Sequence, residues 1–381
     1  MMKPTPVSGE FTKYFLDFKD SLIETLFLVC NAVIMARTTN LNIIKDYLPQ
    51  LLENEKTVTC SHYKRLTRFF GKADPNNKLV ECILNMIFRM LSGQIKYLIL
   101  DATEWKRGNK IYHLLTLCIV YHEVAIPIYW RQLDKNGGHS SQEDRKELLL
   151  QACNRYQLAG KILLADRTGL ALQFIGQKWL LFLVEIKIDF IIRMSKTCYK
   201  LPISEAPGFV HSKLEKITLK AKKSNKSVYK SFQMNGNTYS VVMVKNDKND
   251  PYEPLVYFIS TLESKIDILE GYRIRWRIEN CFKHLKTNGF NLEDLNFNQD
   301  PKLLLMVAIV VMAYVLSVQQ GISQGVKKLK IYKDKSKNLT ISFFRQGLSL
   351  VKAKIWNLKR FIKWVECILK DDWQGKWLYV Q

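Results

Sequence analysis

Residues 94–133, QIKYLILDATEWKRGNKIYHLLTLCIVYHEVAIPIYWRQL, decide the architecture of this chain. They hold three extended apolar runs, broken at Gly108-Asn109 and again at His122-Glu123. Runs of strand length with turn residues at the breaks predict an antiparallel β-meander. Working outward, SQEDRKELLLQACNRY from Ser141 reads as a helix, with Glu143 early enough to favour the helix dipole. KILLAD (161–166) then reads as a short strand, GLALQFIGQKWLLFL (169–183) as a helix and IDFIIRM (188–194) as another strand.

Three antiparallel strands, helix, strand, helix, strand is the order of a ribonuclease-H-like mixed α/β core, in which strands 1 and 4 are neighbours. Around it the pattern changes. FTKYFLDFKDSLIETLFLVCNAVIMA and NKLVECILNMIFRMLSG carry apolar residues three and four apart and predict helices over 10–95. Between them, Thr59 or Ser61 is placed to cap a short basic helix bearing His62, Lys64, Arg65 and Arg68, so that helix, turn and basic helix form a candidate DNA-reading unit. From 196 to 230 the chain turns lysine-rich (Lys196, Lys200, Lys213, Lys216, Lys220, Lys222, Lys223, Lys226, Lys230) against only Glu205 and Glu215. The expected organisation is a helical DNA-binding region at 1–93, a core at 94–195 and 252–320, a basic β-rich insertion at 196–251, and a helical C-terminal region at 321–381.

Bulk properties narrow the class. With 381 residues, 47% hydrophobic, the chain can bury a sizeable core and is not a disordered tail. A formal net charge of +23 predicts a polyanionic partner, most simply nucleic acid. The eight cysteines form no CxxC and no recurrent spacing, which argues against a disulfide framework or zinc site and for reduced, buried thiols in a cytosolic protein. MMKPTPVSGEFTKYF lacks an apolar signal segment. LLLMVAIVVMAYVL (303–316) falls short of the ~20 residues that span a bilayer and is expected to be a buried central helix.

The chemistry concentrates in YRIRWRIENCFKHLK, 272–286. On one continuous helix at roughly 100° per residue, Tyr272, Arg275, Glu279 and Lys286 fall within about 60° of one another. Ile274, Ile278, Cys281 and Leu285 fall opposite, as a buried stripe. The polar face therefore offers a carboxylate flanked by cations and a phenol. Two further acids, Asp101 closing YLILD and Asp166 closing KILLAD, stand at the expected ends of buried strands, where an unpaired carboxylate is costly unless something binds it. If strands 1 and 4 are adjacent, these two come close and the helix brings Glu279 to them. Three carboxylates without His or Cys ligands form a hard oxygen site suited to Mg²⁺ or Mn²⁺. With no competing positive charge at that spot, the metals would supply most of the transition-state electrostatics. Two such ions about 3.5–4 Å apart serve in-line phosphoryl transfer. Glu104 is a minor rival ligand; Asp144 and Asp189 read as structural.

Asp101 in DATEW, Asp166 in ADR and the spacing Y-(2)-R-(3)-E-(6)-K resemble the Asp-Asp-Glu transposases of bacterial insertion sequences, most closely the cut-and-paste insertion-sequence family four. The resemblance covers roughly residues 90–320. It implies a ribonuclease-H-like catalytic core with a β-strand insertion between the second aspartate and the glutamate. It also implies binding of terminal inverted repeats as a homodimer, metal-dependent nicking, often through a hairpin, and strand transfer into target DNA. Asp101, Asp166 and Glu279 would be the catalytic metal ligands for two Mg²⁺ or Mn²⁺ ions. Tyr272, Arg275 and Lys286 would hold the DNA end, with Arg167 a further phosphate contact. A protein working on such DNA is expected in the bacterial cytoplasm, at the nucleoid. The alternative from another class is a catalytically inactive DNA-binding regulator derived from a transposase.

Overall fold

Strands form where the apolar runs of 94–194 predict them. In the computed structural model, described over residues 11, 13–72, 76–91, 95–133, 140–166, 177–194, 227–234, 236–246, 255–325, 341–355 and 357–370, β1 (Tyr97–Arg107), β2 (Lys110–Tyr121) and β3 (Val124–Gln132) make the meander. Gly108 turns the first hairpin at φ 58°, and His122 and Glu123 turn the second at φ 43° and 65°. Two successive positive φ values give the primed turn whose twist matches the strands it joins.

Helix α1 (Asp20–Ala36) precedes the strands, with α2 (Thr59–Lys72) and α3 (Lys78–Arg89). After β3 come α4 (Gln142–Arg155), β4 (Ile162–Ala165), α5 (Gln177–Glu185) and β5 (Asp189–Met194). Ser141 and Asp144 close a capping box at the start of α4, so the structural reading of Asp144 holds. Asp189 is likewise structural, accepting from the Thr261 hydroxyl at 2.7 Å. Strands β6 (Val228–Met234), β7 (Asn237–Lys245) and β8 (Leu255–Ser260) complete one eight-stranded sheet of order β3-β2-β1-β4-β5-β8-β7-β6. Within it β1, β4 and β5 run parallel, and β8 returns antiparallel to β5. The strand order through β5 is the ribonuclease-H-like arrangement. Parallel strands covered on both faces read as unbroken apolar runs, which is why all four residues of β4 are buried. The strands β6 and β7 join the same sheet; the lysines at 196–226 and Asn235 lie outside the described residues.

After β8 the chain forms α6 (Lys265–Ile274), α7 (Arg277–Leu285), α8 (Asp300–Gly325), α9 (Phe343–Lys354) and α10 (Leu358–Leu369). Residues 94–104 and 111–280 cluster as a sheet unit; 1–93, 105–110 and 281–381 cluster as a helical unit. In the helical unit, α8 is the central element, touched by α1, α3 and α9. Its helix is longer than the apolar run alone suggests. By length and composition it could cross a bilayer, yet 83% of the qualifying window is buried in protein. Its polar residues are satisfied there: Gln319 donates to the Met90 carbonyl at 2.6 Å, and Gln320 accepts from the Trp364 indole at 3.2 Å. A Cβ on Gly347 of α9 would lie 1.7 Å from the Ser317 carbonyl oxygen, so α8 and α9 meet backbone to backbone.

The thiols follow the expectation only in part. Cys30, Cys118 and Cys281 are buried, Cys82, Cys153 and Cys367 are half-buried, and Cys60 is exposed; none of these is in a disulfide.

Candidate active site

Sheet register sets the first two acids side by side. Leu100 of β1 pairs with Ala165 of β4, and Asp101 and Asp166 follow them. Adjacent strands lie about 4.8 Å apart, within carboxylate reach. Asp101 does not end its strand, however: β1 continues six residues past it, to Arg107. What ends at Leu100 is the pairing with β4, because β4 is only four residues long. Asp101 therefore stands inside a strand at the point where its neighbour has stopped.

The helix predicted across 272–286 is also corrected. It breaks at Arg275-Trp276 into α6 and α7. At the break the amide of Arg275 bonds to Tyr272 O, and that of Ile278 to Arg275 O, both three residues back. The i→i+3 bonds tighten the turn and rotate the following residues. Ile278, Cys281 and Leu285 keep the expected buried stripe. Tyr272 and Arg275 are buried too, at 8% and 4% exposure, and not part of an open polar face. Gly271 explains the approach of α6: a Cβ there would come within 2.7 Å of Ile191 Cδ1 and 3.3 Å of the Tyr97 ring. With no Cβ at this position, the helix lies close to β1 and β5 without displacing the Ile191 side chain. Tyr272 then packs against Phe258 of β8, with ring centroids 4.5 Å apart and the planes tilted by 50°.

Arg275 occupies the centre of the site. Its Nη1 lies 3.3 Å from Asp101 Oδ2, and its Nη2 lies 3.1 Å from Asp166 Oδ2 and 2.8 Å from Glu279 Oε1. The guanidinium also sits 5.7 Å from the Tyr272 ring centre and 5.5 Å from that of Trp276, which is 48% exposed. The three acids thus converge, and the expectation of no competing positive charge between them is wrong. The planar fork of arginine reaches several carboxylates at once, which a point-like ammonium cannot do. A second cation was missed by the sequence reading. Arg193 of β5 places Nη1 3.8 Å from Asp166 Oδ1. Its signal was present, as the lone basic residue inside the apolar strand IDFIIRM.

Burial sets the local acidity. It pushes Asp101 up to about 6, with the charges of Asp166 and Glu279 adding to it, while Arg275 and the Ala102 amide oppose it. Burial alone would lower Arg275; Tyr272, Asp166 and Asp101 outweigh it and hold its pKa above the ordinary value. Burial, then the charge of Asp166 beside it, raises the pKa of the Tyr272 hydroxyl well above that of a free phenol, with Arg275 and Arg193 opposing.

The donor set fits a divalent cation in chemistry: three hard oxygen ligands already gather around one positive charge. In spacing the cation served is the guanidinium, and among the described residues no group of acids, histidines or cysteines is arranged to hold a metal ion as it stands. Glu104 is exposed on β1. Lys286 belongs to the helical unit, where it pairs with Glu293 at 3.1 Å and lies 5.5 Å from the Trp105 ring centre. Arg167 lies outside the described residues.

The sequence model of the transposase DDE domain matches residues 92–316, more than half of the chain and all three acids. The chain belongs to this transposase family. It is therefore an enzyme of DNA transposition, of the nuclease and strand-transferase class. No curated protein matches the transposase. Among solved structures, a piggyBac transposase synaptic complex with hairpin DNA is similar at 13% identity and TM-score 0.45, over 95% of this chain and 73% of that one. A simian T-cell lymphotropic virus intasome with a PP2A regulatory subunit gives 12% identity and TM-score 0.20, over 44% and 53%. Endonuclease V of Bacillus subtilis gives 10% identity and TM-score 0.26, over 56% and 92%. Membership of the family rests on the domain match.

Proposed function

We propose that this transposase cuts DNA at the ends of an insertion sequence and joins them to a target in a metal-dependent, cut-and-paste reaction of the family-four, Y-R-E-K type. One observation carries the reading: Asp101, Asp166 and Glu279, separated by 65 and 113 positions in sequence, gather around a single cation. In this reading the three carboxylates hold two Mg²⁺ or Mn²⁺ ions. Bound there, the metals would activate water or a 3′-hydroxyl and stabilise the leaving oxygen. The protein's part is placement. The Leu100–Ala165 register fixes the two aspartates, α7 fixes Glu279, and Tyr272, packed beside Asp166 and Arg275, is assigned to the DNA end. Arg275, Lys286 and Arg167 are assigned to phosphates of the DNA end.

The helical region at 1–93 is the proposed DNA-binding part. On α2, Lys64, Arg68 and Lys72 are exposed at four-residue intervals, and the helix contains no acid; His62 is buried and takes no part. A row of cations with small residues Thr67 and Gly71 beside it suits phosphates flanking a major groove. The proposed assembly is a homodimer on paired ends, acting in the bacterial cytoplasm at the nucleoid.

A second reading, a DNA-binding regulator without turnover, has one observation in its favour: the guanidinium fills the acid cluster. Incubating the purified protein with a duplex copied from the DNA flanking its reading frame, plus Mn²⁺, separates the two. Nicks that vanish in Asp166→Ala support the enzyme. Binding without nicks supports the regulator.

A further inference from the structure

Arg275 stands at the one place a metal ion would need. Three of its contacts are carboxylate oxygens at 2.8–3.3 Å, while its Nε is buried without a partner. It is fixed by charge and not by a full set of hydrogen bonds. Its backbone lies at the junction of α6 and α7, where three-residue-back bonds replace the regular helical ladder, and its chain neighbour Trp276 is largely open to solvent. A buried ion pair is costly to break by removing one partner, because the charges left behind have no compensation. The acids cannot lose this guanidinium unless another cation takes its place, and the guanidinium cannot leave unless another anion receives it. A DNA phosphate is such an anion, and arginine binds phosphate with the same planar fork.

We propose that Arg275 is the resident counter-cation of the acid cluster, and that it is exchanged for divalent metal when a DNA phosphate draws it outward. DNA-end binding and metal loading are then coupled, and the DNA-free protein holds metal weakly. This rests on the reading of Asp101, Asp166 and Glu279 as metal ligands. It assigns Arg275 a positioning role distinct from simple phosphate binding. Coupling free energies between sites are reciprocal, so metal must raise DNA affinity by the factor by which DNA raises metal affinity.

The test measures Mn²⁺ dissociation constants by electron paramagnetic resonance, with and without saturating flanking duplex. Wild type, Arg275→Ala and Arg275→Lys are compared, with melting temperature followed alongside. For wild type the duplex should tighten Mn²⁺ binding by roughly 5–150-fold, the usual range for coupled sites. Arg275→Ala without DNA should bind Mn²⁺ at least about tenfold more tightly than wild type without DNA. The duplex should then add little, and Mn²⁺ should raise the melting temperature of the variant more than that of wild type. If metal-free Arg275→Ala does not fold, Arg275→Lys decides. It keeps the charge but cannot bridge three carboxylates, and tighter Mn²⁺ binding than wild type supports the exchange. Equal or weaker Mn²⁺ binding by the folded variant, or an undiminished effect of the duplex, overturns it. Such a result beside normal nicking by wild type sinks only the exchange; absence of both metal binding and nicking in wild type sinks the enzymatic reading itself.

Discussion

The sheet unit and the helical unit handle charge in opposite ways. At the end of β4 the sheet unit gathers Asp101, Asp166, Glu279, Arg275 and Arg193, with the arginine at the centre nearly sealed from solvent. In the helical unit, α8 is wrapped in apolar neighbours, and the cation of the signature, Lys286, keeps to a half-exposed pair with Glu293. Apolar packing stabilises in proportion to area, whereas a buried ionic cluster gains little over apolar residues of the same volume. A fold shaped for stability alone would look like the helical unit throughout. In the proposed reading the sheet unit carries its charges for chemistry, since functional sites are where a sequence departs from the local rules of burial.

The contrast is broken most sharply by activity. Asp166→Ala or Glu279→Gln should lower DNA cleavage by on the order of 10²–10³-fold or more while leaving the helical unit folded. Residual nicking near the wild-type rate in a gel assay would remove the acid cluster from the chemistry. Next in size is Gly347→Ala, which forces a methyl group against the Ser317 carbonyl where α9 crosses α8. It should cost about 3 kcal/mol or more in urea unfolding of the helical unit, with no direct effect on the acids.

Acidity gives a third comparison, because the two units should respond with opposite sign. Asp101 has a native value of about 6 against 3.8 for the free group, so the native state binds the extra proton between them. Metal-free, the stability from Asp101 is full below about pH 4 and lost as pH rises through 6, on the order of 2–3 kcal/mol. Asp101→Asn should remove that slope. His284 in the helical unit is lowered to about 4 from 6.5, by burial and then by Arg345. Its contribution is full above 6.5 and lost as pH falls through 4. Hydrogen exchange resolved by unit would read both trends; a single common slope would show that one of these environments is misassigned. Smallest is Lys286→Ala. Loss of the half-exposed pair with Glu293 should cost about 1 kcal/mol. The same change should flatten the salt dependence of DNA binding by about one counterion, measurable by titration at several salt concentrations.

Much of this was legible in the residues themselves. Apolar runs and turn dipeptides marked β1 to β5 because a strand buried on both faces must be apolar along its length, whatever it packs against. The three acids could be picked out together, two closing apolar strands and the third in the Y-R-E-K spacing, although each aspartate alone reads as a cap or turn residue. Their neighbours could not. A periodic pattern describes one helix, so the break at Arg275-Trp276, where three-residue-back bonds interrupt the ladder, was invisible. Nor could composition foresee that Asp101 lies inside β1, since that depends on how short its partner β4 is. The sequence alone determined that two apolar strands run into Asp101 and Asp166 and that a third acid, Glu279, lies on a helical stretch, for that is a matter of residue type and local period. Only the tertiary structure decided that Arg275 stands among them, because long-range electrostatics acts on distances that exist only after the sheet and the helices have packed.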